Sequence, residues 1–238
     1  MLRSIKELRG YTIRATDGDV GKVRTFYFDD RFWTVRYLVA DTGNWLVDRL
    51  VLLSPLALGE PDWDGKVFPV TLTTEQVENS PHISMDEPVS RQMEEELHNY
   101  YGWAPYWNPA AYASAPPMRE EERRKGDPHL RSTREITGYH IQATDGQIGH
   151  VEDFVVEDGV WIIRYIVADT KNWLPGRKAL VSPLWTREID WAGRQVHVDL
   201  TQEEIRQSPE FDPSTPVNRE YEVRLYDYYG RPRYWSRL

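Results

Sequence analysis

The chain of 238 residues contains no cysteine. That excludes disulfides, iron–sulfur clusters and thiolate zinc sites, and it fits a reducing compartment. No apolar run approaches the ~20 residues that a membrane-spanning helix needs, and the opening "MLRSIKELRG" lacks an apolar stretch of signal-peptide length. A soluble cytoplasmic protein without membrane insertion is therefore expected. Positive charge is nowhere concentrated. Residues 1–107 carry 11 basic and 17 acidic side chains (net −6), residues 108–130 carry 4 and 4, and residues 131–238 carry 14 and 17 (net −3). Displacing counterions from a nucleic acid needs clustered Lys and Arg, so no nucleic-acid partner is expected. P-loop, dinucleotide and nucleophile-elbow signatures are missing, and so is the H-E-x-x-H zinc motif.

Internal repetition is what the sequence has in abundance. "ATDGDVGKV" (15–23) is nearly rewritten as "ATDGQIGHV" (143–151). Adding 128 carries one copy onto the other without a gap. "RYLVADTGNWL" (36–46) meets "RYIVADTKNWL" (164–174), Ser54-Pro55-Leu56 meets Ser182-Pro183-Leu184, and "YYGWAPYW" (100–107) meets "YYGRPRYW" (228–235). An ungapped match of this length is a duplicated unit. It divides the chain into residues 1–107, a Pro/Ala-rich and charged linker at 108–132, and residues 133–238.

Each copy reads as short strands and then helix. "YTIRAT" and "YHIQAT" run into Asp-Gly, a pair suited to tight turns. Aromatic and β-branched runs follow in "GKVRTFYF" and "GHVEDFVV", then "WTVRYLVA" and "WIIRYIVA". Apolar residues on both sides of the alternation at 160–163 predict a strand covered on both faces. Thr73 and Thr201 stand three residues before Gln76 and Glu204, a capping-box pattern. A longer helix is predicted from near Pro88/Pro216 to Gly102/Gly230. Its stripe is Val89, Met93, Leu97 and Tyr101 in one copy, and Val217, Tyr221, Leu225 and Tyr229 in the other.

The pattern G-Y-x-I-x-A-T-D-G-x-x-G, with the following strand, "RYLVADTGNWL" and "LLSP", resembles the PRC-barrel family. That domain is shared by the cytoplasmic part of the photosynthetic reaction-centre H subunit and a ribosome maturation factor. The resemblance covers residues 5–81 and 133–209. It implies a mainly β fold with helical extensions: two tandem small β-barrels related by a pseudo-two-fold axis. It also implies a binding and assembly module without a shared catalytic set.

No catalytic, metal or cofactor site is read from the residues, and no cofactor is expected. None of the six histidines, His82, His98, His129, His140, His150 and His197, is repeated in the other copy. Arg36 and Asp41 do recur, as Arg164 and Asp169. They read either as a twice-built anion or acid–base site or, with more weight, as ion pairs or strand-end caps. The aromatic tails are the candidate interface: Tyr100, Tyr101, Trp103, Tyr106 and Trp107 in one copy, and Tyr228, Tyr229, Arg231, Arg233, Tyr234 and Trp235 in the other. Tyr and Trp are enriched at interface hot spots. A lid packed on its own barrel is an equal reading. The leading functional expectation is a non-enzymatic protein-interaction or scaffold module with a protein partner, homo-oligomerisation being open. The alternatives are an accessory protein peripheral to a membrane electron-transfer complex, and a small-molecule binder or enzyme using a cleft between the barrels.

Overall fold

The computed structural model describes residues 1–43, 49–83, 89–107, 126–170 and 177–236. Asn44, Trp45, Asn172 and Trp173 of the repeated turn, Pro88 and most of the 108–132 linker lie outside these residues. In chain order the first elements are β1 (Leu2–Ser4), α1 (Ile5–Leu8), β2 (Thr12–Arg14), β3 (Asp19–Asp29), β4 (Thr34–Asp41) and β5 (Leu50–Leu53). Then come β6 (Val67–Pro69), α2 (Thr74–Glu78), β7 (His82–Ile83), α3 (Arg91–Tyr101), β8 (Leu130–Ser132) and α4 (Thr133–Ile136). The remainder is β9 (His140–Ala143), β10 (Gly146–Glu157), β11 (Ile162–Asp169), β12 (Lys178–Val181), β13 (Thr186–Asp190), β14 (Gln195–Val198), α5 (Gln202–Gln207) and α6 (Arg219–Tyr229). The fold is mainly β with helical extensions, as expected. Among the described residues no helix is long and apolar enough to cross a membrane.

Two compact units form, with seams that differ from the sequence division. One is Leu8–Ser132; the other joins Met1–Glu7 to Thr133–Leu238. Each unit thus contains a short strand that opens the other copy, and residues 130–132, assigned to the linker from the sequence, are strand β8 instead. In the Leu8–Ser132 unit, β8 pairs antiparallel with the end of β3, Leu130 opposite Asp29 and Ser132 opposite Tyr27. In the other unit, β1 pairs with the end of β10, Leu2 opposite Glu157 and Ser4 opposite Val155. Subtracting 128 from Leu130 and adding it to Asp29 turns one register into the other.

Within the Leu8–Ser132 unit the strand order is β6-β2-β3-β4-β5-β7; in the other it is β13-β14-β9-β10-β11-β12. Each is an open path, so the closed barrel expected from the sequence is not what the strand pairing forms. A barrel needs continuous register around the whole ring. Here the outer strands are too short to supply it: β6 is three residues ending in Pro69, β7 is two residues, and Pro183 follows soon after β12.

The predicted local signals mostly materialise. Thr73 and Thr201 complete full capping boxes with Gln76 and Glu204. The long helices are capped by Ser90 and Asn218 and end at left-handed Gly102 and Gly230, starting a few residues later than expected. The strand expected from 160 onward also starts later: β11 begins at Ile162, and Val160 lies exposed in the preceding turn. The repeated Gly21 and Gly149 have positive φ (138° and 103°), and a Cβ there would overlap the carbonyl oxygens of Asp41 and Asp169. Only glycine satisfies both constraints. Asp17 and Asp145 do more than form turns: each accepts a hydrogen bond at 2.7 Å from the first backbone N–H of α2 or α5 (Thr74 or Gln202).

Candidate functional site

The second half of β4 is apolar on both faces, and it turns Tyr37 into a core with Tyr27, Val39, Leu50, Leu52, Ile83, Val89 and Leu97. Helix α3 lays Leu97 and Tyr101 on this core. On the same face, three and seven residues before them, is Glu94, fully buried. A carboxyl there requires partners. Tyr37 donates its hydroxyl to Glu94 Oε1 at 2.9 Å, and Tyr106 of the tail donates to the same oxygen at 2.5 Å. Arg91 Nη1 lies 2.9 Å from Oε2. His98 Nε2 is 3.0 Å from the Tyr37 hydroxyl. Desolvation raises the Glu94 pKa to about 7 from its ordinary 4.5, against the opposing pull of Arg91 and the two hydroxyls. Burial also raises Tyr37 and Tyr106 and lowers His98.

Two guanidinium groups close the tail over this carboxyl. Arg36 lies 4.1 Å over the Tyr106 ring, and Arg91 lies 4.2 Å over Trp107 while pairing with Asp127 at 2.6 Å. Desolvated cation–aromatic contacts of this kind are worth roughly 1–2 kcal/mol each. Trp103 stacks on Tyr101 with centroids 4.1 Å apart.

The other unit repeats the device. Tyr165 and Tyr234 donate to Glu222 Oε1 at 2.7 and 2.9 Å, and Arg219 lies 3.0 Å from Oε2. Arg164 covers Tyr234 and Arg219 covers Trp235, both at 4.1 Å. One member differs. Tyr226 stands where the first unit has His98; it keeps the contact with the equivalent tyrosine, Tyr165, and adds Ser182 and the Trp185 ring.

The tail residues are therefore lids on their own units. Tyr101, Trp103, Tyr106, Trp107, Arg231, Arg233, Tyr234 and Trp235 are partly buried and Tyr229 is buried, while Tyr100 and Tyr228 remain exposed. Arg231 and Arg233 bind Asp199 and Asp227. The Arg36–Asp41 and Arg164–Asp169 pairs are not brought together. Arg36 faces Asp29 at 3.8 Å and Arg164 pairs with Glu157. Asp41 pairs with Arg24 at 2.6 Å and accepts the Gly43 N–H, whereas Asp169 lies 3.8 Å from His150. Glu94 and Glu222 went unnoticed in the sequence. Their signal was an acid repeated at the 128 offset within an apolar helical stripe.

These groups hold the tail in place. Each carboxyl is sealed by the phenols and guanidinium that fix the tail. An open groove of about 670 Å³ in the Leu8–Ser132 unit is lined by Thr12, Asp19, Lys22, Arg24 and Asp41, among others. Lys22 and Arg24 become His150 and Glu152 in the second copy, so its charge is not repeated. Among the described residues no group of three or more His, Asp and Glu side chains is placed to hold a metal ion.

No family model matches the chain, and no curated protein matches it.

What the two copies do share on their surfaces is apolar exposure. Besides Met1, the large apolar side chains left exposed among the described residues fall at three equivalent pairs of positions. Phe32 and Val160 are 61% and 53% exposed, Leu56 and Leu184 65% and 69%, and Tyr100 and Tyr228 41% and 40%. Leu56 and Leu184 sit in short 3-10 turns capped by the Ser54 and Ser182 side chains, which hold the Leu outward.

Proposed function

We propose that the chain is a tandem PRC-barrel-type interaction module that binds another protein and carries out no reaction of its own. The observation that carries this reading is the repetition of solvent-exposed apolar side chains at three equivalent positions in the two units. Single exposed leucines are ordinary on protein surfaces. The same positions left exposed twice, each on a rigid turn or helix, form a reproducible pattern of contacts. Tyr100 and Tyr228 are themselves anchored by their hydroxyls, which donate to the carbonyls of Gln76 and Glu204 at 2.9 Å.

The test compares the wild-type chain with a Leu56→Asp/Leu184→Asp variant. A partner captured from the native cell is purified and titrated against both. Binding should weaken by about tenfold or more, as at interface hot spots, with an unchanged melting temperature. Equal affinity for the two chains would remove the reading.

A further inference from the structure

We propose that a second copy of this chain can supply the strand that seats on β10, so that two chains associate by trading the segment Leu2–Leu8. The proposal does not depend on the exposed leucines. It starts from the composition of the two units: each is completed by a strand from the other repeat, in the same register. The segments are near-copies, "LRSIKEL" (2–8) and "LRSTREI" (130–136). Even the flanking backbone bonds correspond: Asp158 N–H donates to Met1 O at 2.9 Å, and Asp30 N–H to His129 O at 3.0 Å.

The β10 edge is built to select this segment. Asp153 is nearly buried; its Oδ1 accepts the Lys6 N–H at 2.9 Å and its Oδ2 accepts the Ser4 hydroxyl. Beside it, Glu152 bridges Lys6 Nζ at 3.2 Å and Lys178 Nζ of the same unit at 2.7 Å. Leu2 is buried. At the corresponding places β3 has Arg24 and Thr25, so the acidic receptor belongs to β10 alone. Each of the segment's contacts is made equally well from the same chain or from another. Edge pairing of this kind relies on main-chain bonds for affinity and on a few side chains for selection. The segment already present competes at an effective concentration on the order of millimolar. Exchange between chains is therefore favoured at high concentration or when chains refold together.

Because the chain lacks cysteine, full-length variants can report the exchange. A Ser4→Cys/Val155→Cys chain, refolded dilute and oxidised, should close a disulfide within one molecule, since these residues face each other. Failure to close overturns the seating. Separate Ser4→Cys and Val155→Cys chains are then mixed, cycled through moderate urea and refolded at rising concentration. A disulfide-linked heterodimer whose yield grows with concentration supports the proposal. Its absence at ~1 mM refutes it, and so does an equal yield when Val155→Cys is replaced by Val160→Cys on the exposed turn. Should either substitution unfold the chain, Arg3→Cys with Val156→Cys repeats the test at the adjacent pair. The Leu56→Asp/Leu184→Asp change should leave the cross-link intact.

Discussion

Replacing Glu94 by Gln should flatten the pH dependence of stability, because the buried carboxyl is easier to protonate in the folded chain than in the unfolded one. Its pKa rises from 4.5 to about 7 on folding. Between those values the folded state holds a proton that the unfolded state has released. Stability attributable to this group is thus complete below pH 4.5 and is lost as pH rises through about 7. At ~1.4 kcal/mol per pH unit, the loss amounts to about 3 kcal/mol. His98 acts in the opposite sense. Its lowered pKa makes the unfolded chain the better proton binder just below the usual histidine value, so its contribution grows with pH there. Asp30, raised by burial, follows the sign of Glu94. Only a difference between variants isolates one group. Glu94→Gln keeps an acceptor for Tyr37 and Tyr106 and removes the titration; Arg91 retains Asp127 and Trp107. Urea unfolding of both chains at pH 5, 6, 7 and 8, followed by tryptophan fluorescence, gives the two slopes. Between pH 5 and pH 8 the variant should gain on the wild type by about 2.5 kcal/mol. Parallel curves would refute the assignment of a proton to the folded Glu94.

Three further outcomes follow from the geometry. Gly21→Ala or Gly149→Ala forces a Cβ onto a carbonyl oxygen at positive φ and should cost at least ~2 kcal/mol, measured by urea unfolding. Ser90→Ala removes the hydroxyl that accepts the Met93 N–H and should lose about 1 kcal/mol, read as a lower unfolding midpoint at an unchanged denaturant slope. Tyr234→Phe deletes one donor to the buried Glu222. It should cost roughly 1–3 kcal/mol and leave Trp235 more accessible to a fluorescence quencher.

Local signals were legible wherever a backbone constraint dictates residue type. The capping boxes, the Gly102 and Gly230 stops, and the Gly21/Gly149 pair can be read from the sequence, because few other residues satisfy those geometries. The open sheet was less legible. Pro69 and Pro183 were visible, but nothing local says whether the outer strands meet. The tail lids could not be assigned, since the stacking that makes Tyr106 a lid is the stacking that would make it a hot spot. What decides is Glu94, whose need for hydroxyl donors pulls Tyr106 inward. The repeat made Arg36 and Asp41 look like partners. In the structure a bulge in the β3–β4 pairing lies between them, and each finds a nearer opposite charge.

Comparing the copies separates framework from variation more sharply than either copy alone. The latch of carboxyl, two phenols and two guanidiniums occurs at the same five positions in both units. Such a buried charged cluster is costly unless every member has partners, so losing any one would expose the rest. Variation falls both inside and outside the latch: buried His98 against Tyr226, Lys22 against His150, Trp103 against Arg231. The β10 receptor is a further difference. Asp153 is buried like a framework residue, yet its counterpart is Thr25. A buried acid that only one copy has, accepting hydrogen bonds from the segment arriving from the other repeat, is better explained by selection of that segment than by stability of the sheet. Asp153→Thr should therefore reduce cross-linking between Arg3→Cys and Val156→Cys chains, which keep the Ser4 hydroxyl, by more than it lowers the unfolding midpoint of the unit that contains it.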